Sequence, residues 1–357
     1  MKLTRRETLA GAAALGAGAC VTMPELQAMA DAHPASGKTL SRIAFGSCAK
    51  QSKDQPIWNA VNAAEPDLFI FLGDNIYADT RDPKVMADKY AMLAAKPGFQ
   101  KLRANTPVCA IWDDHDYGED DAGADYPMKD ESRRQFCDFW GESADSVRRT
   151  RDGIYAANMF GPAGQRVQII LLDTRWFRAP LRITDQRGAP GRERYLPDDD
   201  PAKTMLGEAQ WAWLGQCLQE PAELRLIVSS VQVVVEGHGW ERWGNFPLER
   251  QRLYDLIAGT KARGVVFLSG DRHIGALYRE SQGTPYPLTE ITSSGINRQF
   301  VNAREQGPNR LGELYPRVNF GTLDIDWQQG RVALALRDEE GAIQRNVSLA
   351  LDALRPV

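Results

Sequence analysis

Six short apolar runs, each closing on a polar cluster, constrain this chain more than any other feature of it. The runs fall at 43–45, 68–72, 108–112, 167–172, 226–228 and 265–268. Their length and their β-branched and aromatic content are those of buried strands. They end, in order, in Gly46-Ser47-Cys48, Gly73-Asp74-Asn75-Ile76-Tyr77, Asp113-Asp114-His115-Asp116, Asp173-Thr174-Arg175, Ser229-Ser230 and Gly270-Asp271-Arg272-His273. Helical patterns at 56–64, 85–93, 133–140, 207–218 and 248–262 alternate with the runs. That alternation predicts an α/β protein with helices covering its sheets. After Pro287 the pattern turns strand-rich, at 288–292, 321–327, 331–337 and 346–350. In α/β sheets the chemistry gathers at the carboxyl ends of strands, so six polar endings point into one crevice. The polar stretches 178–203 and 297–316 read as long surface loops of the kind that shape active sites.

Composition narrows the chemistry. With 357 residues, 43% hydrophobic and 25% charged, the chain has the profile of a soluble globular protein with a sizeable core. A formal net charge of -4 and the absence of a basic stripe exclude a dominant nucleic-acid-binding role. There are only four histidines, His33, His115, His238 and His273. A metal site built mainly from imidazoles is thereby excluded, and carboxylates and other oxygen ligands would have to do most of the binding. Five cysteines do not make a disulfide framework in a chain of this size. Cys109, Cys137 and Cys217 lie in apolar stretches and read as small buried hydrophobes.

The amino terminus reads as an export signal over residues 1–30. A charged start (Lys2, Arg5, Arg6) precedes an apolar run at 9–19 that is too short to span a bilayer, which needs about 20 residues. Thr4-Arg5-Arg6-Glu7-Thr8-Leu9 resembles the twin-arginine export signal, departing from it at Thr8, where an aromatic is common. Ala28-Met29-Ala30 offers a cleavage site, and Cys20 offers the alternative of a lipid anchor. No second run reaches membrane length, so the mature protein is expected to be soluble or surface-tethered, and the twin-arginine-like signal makes the periplasm or the exterior its expected place.

Each ending has a plain alternative. Asp74 is a carboxylate at a strand lip, or a turn or helix cap. Tyr77 lies near it, or simply packs. The segment 113–125 holds seven carboxylates, read either as a solvated acidic loop or as a site where a divalent cation relieves their repulsion. His115 sits among them, where negative charge raises its pKa. Asp271 and His273 stand two residues apart at another strand end as potential ligands. Cys48 is a core residue or, beside a metal, a thiolate ligand. Arg175 is a candidate phosphate contact through its forked guanidinium, or a structural ion pair; Arg250 and Arg298 are weaker candidates. His238 is either part of a pocket wall or, as expected here, an exposed loop histidine.

Taken together, Gly46-Ser47-Cys48, Gly73-Asp74-x-x-Tyr77, Trp112-Asp113-Asp114-His115-Asp116, Leu172-Asp173-Thr174-Arg175, Leu206-Gly207-x-x-Gln210-x-x-Trp213-Leu214 and Ser269-Gly270-Asp271-x-His273 stand in a familiar order. In that order the chain resembles the alkaline phosphatase D-like metallophosphatases of the calcineurin-like phosphoesterase superfamily, over about 42–295. The resemblance implies an α/β, four-layer αββα sandwich of two mixed sheets flanked by helices. It implies one metallophosphatase domain at 31–357, with active-site loops near 113–125, 178–203 and 236–247. It also implies a two-metal centre of Fe3+ and Ca2+, with other divalent cations able to take the second place. Cys48, Asp74, Tyr77 and His273 match the first metal's ligands, with Asp74 bridging; Asp114 and Asp271 match the second's. His115 matches the residue that contacts the phosphate or protonates the leaving group. Two departures stand out: Ser229-Ser230-Val231-Gln232 lacks the mid-chain histidine of most relatives, and Gly118-Glu119-Asp120-Asp121 has no Asn.

The expected activity is that of an exported phosphoric ester hydrolase, attacking phosphorus in line with a metal-activated hydroxide while His115 assists the leaving group. Its expected partners are phosphate esters and the twin-arginine export machinery, with oligomeric state left open. The alternatives are a phosphodiesterase with phospholipase D-like preference and a non-catalytic metal-binding protein on the same fold.

Overall fold

Two sheets form from the apolar runs, and their register sets the crevice. The computed structural model of the protein describes residues 33–356. The expected signal at 1–30, its cleavage site and Cys20 lie outside the described residues. In one sheet β2 (Arg42–Gly46), β3 (Leu68–Leu72) and β4 (Val108–Ile111) run parallel, and β13 (Phe320–Asp326), β14 (Arg331–Arg337) and β15 (Ile343–Ala350) extend it antiparallel. The strand order is β15-β14-β13-β2-β3-β4. The sequence Leu-Phe-Ile-Phe-Leu of β3 is buried at every position, as a strand covered on both faces requires.

The other sheet holds seven strands: β1 (His33–Ser36), β5 (Ala156–Phe160), β6 (Val167–Leu171), β9 (Leu224–Ser229), β10 (Val265–Ser269), β11 (Gly275–Glu280) and β12 (Leu288–Ser293), in the order β1-β5-β6-β9-β10-β12-β11. Here β6, β9, β10 and β12 are mutually parallel, while β5 and β11 run antiparallel to β6 and β12. Ser269 lies opposite both Ser229 and Thr292, so three neighbouring strands end level with one another. A small hairpin, β7 (Arg182–Ile183) with β8 (Tyr195–Leu196), gives some order to the loop at 178–203.

Helices cover the outer faces, completing the four-layer α/β sandwich of two mixed sheets. On the six-stranded side lie α1 (Trp58–Ala63), α2 (Pro83–Ala94), α3 (Pro97–Asn105) and, beyond the short α4 (Asp114–Tyr117), α5 (Lys129–Trp140). Trp58 meets Phe69 edge-on at 5.6 Å and Trp140 lies 4.7 Å from Phe71, so ring contacts bind these helices to β3. On the seven-stranded side lie α6 (Gly207–Gln219) and α7 (Pro247–Gly259), joined by a 2.9 Å hydrogen bond from Trp211 Nε1 to Glu249 Oε2. Proline opens α2, α3 and α7, where its missing N–H costs nothing. The sheets meet face to face: a Cβ on Gly275 of β11 would lie 2.9 Å from Leu336 of β14.

At the carboxyl end of β3 the chain turns through Gly73, whose φ of 99° favours glycine. A Cβ there would stand 2.7 Å from Asp113 Cβ and 2.9 Å from its backbone nitrogen. Gly73→Ala is therefore expected to destabilise the fold by roughly 1–3 kcal/mol and to displace Asp74, read as a lower unfolding midpoint together with reduced metal content.

Candidate metal centre

Four of the six polar endings meet in one cluster, and the other two lie behind it, with Arg175 and Ser230 reaching Asp113. Cys48 and Asp74 follow β2 and β3, Asp113 to Asp116 follow β4, and Asp271 and His273 follow β10, so both sheets contribute to one cluster. Backbone strain concentrates there. Eight non-glycine residues among the described ones have positive φ, and six of them (Cys48, Asp74, Asp79, Asp121, Asp271 and His273) belong to this region. Such conformations cost energy and persist where surrounding structure imposes them, as at binding and catalytic sites.

The innermost group brings together Cys48, Asp74, Tyr77 and His273. Cys48 Sγ lies 3.4 Å from Asp74 Oδ2, and the Tyr77 hydroxyl lies 3.2 Å from the same oxygen and 3.0 Å from His273 Nε2. Ser294, just past β12, sits 3.0 Å from Cys48 Sγ through its hydroxyl and accepts the His273 N–H at 2.7 Å. Burial, reinforced by Asp74, pushes the Cys48 thiol and the Tyr77 phenol well up. Burial, with Arg298 and Arg272 adding to it, pushes His273 down to about 3, leaving a neutral ring with a lone pair to offer.

Beside this group stand Asp114, His115 and Asp271. Burial raises Asp74 and Asp271 well above the usual carboxylate range, and neighbouring carboxylates add to the effect. Burial also opposes charge on Asp114 and His115. In Asp114 it is outweighed by His115 and Arg175, which hold the carboxyl low; in His115 it is outweighed by Asp114, Asp74 and Asp79, which lift the ring to about 11. His115 Nδ1 lies 2.5 Å from Asp79 Oδ1, and its ring lies against Tyr77 with centroids 4.2 Å apart. Asp79 fixes the orientation of the ring, a part that nothing in the sequence pattern announced.

The acidic segment divides in two. Asp113, Asp114 and Asp116 are buried, whereas Glu119 and Asp120 remain at the surface side. Asp116 accepts backbone N–H groups from Asp74 at 3.2 Å, Asn75 at 3.2 Å and Asp113 at 2.6 Å, so it braces the turn rather than facing the cluster. Ser230, in the region without the mid-chain histidine, donates its hydroxyl to Asp113 Oδ1 at 2.5 Å.

Arg175 lies behind the cluster. Its side chain is 0% exposed and its guanidinium meets Asp113 at 2.5 Å and Glu241 at 2.7 Å, while Arg178 meets Glu241 at 2.9 Å. A guanidinium walled in by two carboxylates does not reach a phosphate in the crevice, so the expected phosphate contact gives way to the ion-pair alternative. His238 is likewise corrected: it is buried, 3.0 Å from Gln232 Oε1 through Nε2, and burial drives its pKa well down. The Gly-rich loop folds inward, which its composition did not reveal.

The donor set fits cations. Asp74 Oδ1, Asp113 Oδ2 and Asp114 Oδ1 are buried without a hydrogen-bond donor. Ligand atoms of Cys48, Asp74 and His273 lie within 4.8 Å of one another, as do those of Asp74, Asp114 and His115, and those of Asp113, Asp114 and Asp271. Asp74 and Asp114 recur between groups, so the groups share walls. Orphaned carboxylate oxygens in such a place are what a cation satisfies.

Solved structures share this architecture. The structure of PhoD matches with a TM-score of 0.71 at 16% identity, covering 91% of this chain and 73% of that one. The purple acid phosphatase PPD1 of yellow lupin seeds matches at 0.60 and 11%, covering 89% and 55%. A dimetal phosphatase from Danio rerio matches at 0.53 and 13%, covering 88% and 100%. The fold is that of the metallophosphatases. The profile of the PhoD-like phosphatase family matches residues 43–340, and the chain belongs to that family. Membership makes it a phosphatase with phosphate-ester substrates and divalent metal cofactors. No curated protein matches it in sequence.

Removing the Arg175 charge leaves Asp113 buried with only the Ser230 hydroxyl, and Glu241 with only Arg178. Arg175→Met is expected to cost about 3–5 kcal/mol of stability, measured by urea unfolding of the purified protein. Unchanged stability with a raised KM would instead restore the phosphate contact.

Proposed function

We propose that this protein is an exported phosphoric ester hydrolase, an alkaline phosphatase D-like enzyme acting on phosphate monoesters, diesters or both. The observation that carries the reading is the convergence of Cys48, Asp74, Tyr77 and His273 on one point, with Asp74 shared toward Asp114. Cys48, Tyr77, His273 and Asp74 are the proposed holders of Fe3+, since thiolate and phenolate suit a strongly acidic ion. Asp74, Asp114 and Asp271 are the proposed holders of Ca2+ or another divalent cation, which oxygen donors favour. When bound, the two cations supply the Lewis-acid charge that displacement at phosphorus draws on.

The chain's own residues do the rest. Asp79 anchors His115 at Nδ1, so the ring keeps one orientation and holds a proton at Nε2 for the leaving oxygen. Tyr77 packs against that ring and limits its rotation. Arg175 and Ser230 keep Asp113 in place behind the cluster, and Asp116 holds the turn that carries Asp74. A cavity of about 200 Å³ lined by Asp114, His115, Asp271 and His273 gives the phosphoryl group a confined place beside these donors. Export rests on the twin-arginine-like stretch Thr4 to Leu9, which delivers folded proteins to the periplasm or beyond. Lipid attachment at Cys20 is the alternative to release after cleavage.

The test joins metal analysis of the purified protein to hydrolysis of p-nitrophenyl phosphate and its bis-ester. Wild type is expected to carry iron and calcium and to hydrolyse at least one ester. Asp74→Ala should lose metal and at least about 100-fold in kcat/KM. A wild-type protein inert on both esters with iron and calcium supplied sinks the proposal. Full metal content and activity in Cys48→Ala would return Cys48 to the core.

A further inference from the structure

The cavity beside the donor cluster has a larger neighbour. Asp120, Arg194, Trp240 and Phe300 line both it and a groove of about 800 Å³, so the two spaces adjoin at these residues. The groove has the size of a site for an organic ligand, while the inner cavity is smaller than such sites usually are. It forms where three long loops converge, supplying Arg187 to Arg194, Gly237 to Trp240, and Phe300 to Gln306.

Two aromatic side chains stand at the junction. Trp240 and Phe300 meet edge-to-face, with centroids 6.5 Å apart at 78°. Beside Trp240, the Arg272 guanidinium sits 4.9 Å from the indole, itself buried and ion-paired with Glu305 of the opposite loop. Phe300 donates its backbone N–H to the His273 carbonyl at 2.7 Å, which ties its position to the donor cluster, yet the residue is 37% exposed. These rings are therefore braced by their surroundings and open to the groove. The charged groups lining the groove balance: Arg187, Arg194 and Arg304 against Asp120, Glu193 and Glu305. That balance gives no excess charge to recruit a second anionic group.

We propose that the groove is the leaving-group subsite of the enzyme, taking an uncharged, apolar, ring-sized alcohol against Trp240 and Phe300. The preferred substrates are then phosphate esters of bulky apolar alcohols. This inference rests on the phosphoesterase reading and adds the substrate class to it. Packing an apolar ring on an aromatic pair is expected to change binding by about tenfold, or about 1.4 kcal/mol.

Steady-state kinetics of the metal-loaded enzyme on 2-naphthylmethyl phosphate and ethyl phosphate test it. Both esters release alkyl alcohols, so the bond broken is of one kind and KM reports the groove. Wild type should show a KM about tenfold lower for the naphthylmethyl ester. Trp240→Ala and Phe300→Ala should each erase most of that preference, and Phe300→Tyr should keep it. Equal KM values in wild type, or variants that raise both KM values alike, overturn the subsite while leaving the phosphoesterase reading intact. Hydrolysis of neither ester, nor of the nitrophenyl esters, overturns both. Should Trp240→Ala fail to fold, the half-exposed Phe300 carries the same comparison.

Discussion

Burying four carboxyl groups side by side is costly, and the molecule is organised around offsetting that cost. Asp74, Asp113, Asp114 and Asp116 are all within a few per cent of full burial. Each finds partners in the protein: Asp116 in backbone N–H groups, Asp113 in Arg175 and Ser230, Asp114 in His115 and the Asp121 N–H, and Asp74 in the Cys48 thiol and the Tyr77 hydroxyl. Asp74, Asp113 and Asp114 nevertheless each keep one oxygen with no donor. All three belong to the candidate ligand groups, and Asp74 and Asp114 are shared between them. The strained backbone at Cys48, Asp74, Asp271 and His273 belongs to the same account, because left-handed conformations there turn side chains inward at strand ends.

Two histidines in one site are driven in opposite directions. Carboxylates around His115 keep its proton, while burial and two arginines strip His273 of its own. Environment alone separates a proton holder from a lone-pair donor, which is how one residue type fills two roles. The scarcity of histidine in the sequence thus leaves no redundancy in the proposed chemistry. His238 is spent inside the protein on Gln232, and the backbone of His33 pairs in an edge strand.

Strands were legible wherever local sequence and burial agree. The run at 68–72 becomes β3 with the same bounds, because five apolar residues flanked by polar ones fit only a strand covered on both faces. β5 and β11 escaped because neither reads as a strand by itself: Ala-Ala-Asn-Met-Phe lacks β-branched residues, and Gly275 opens a segment carrying Tyr, Arg and Glu. Pairing with β6 and β12 makes them strands. α3 hid behind its opening Pro97-Gly98. In the site, residues adjacent to strand ends were visible, but their supports were not. Asp79 reaches His115 across 36 positions, Arg175 reaches Glu241 across 66, and Ser294 reaches Cys48 across 246. No local pattern marks a partner that distant. The same blindness explains why Arg175 read first as a phosphate contact, with the ion pair only a near second.

The division of the cluster between two sheets bears on when the site comes into being. Cys48, Asp74, Tyr77 and Asp114 emerge early from the ribosome, whereas Asp271, His273 and Ser294 emerge near the end. No nascent chain shorter than His273 contains the donor set, and none assembles it before the sheets dock. The full donor set therefore exists only once the sheets have docked, so ion capture by all of it cannot precede the fold. Whatever compartment the chain folds in is thus the first in which it can hold an ion with every donor in place.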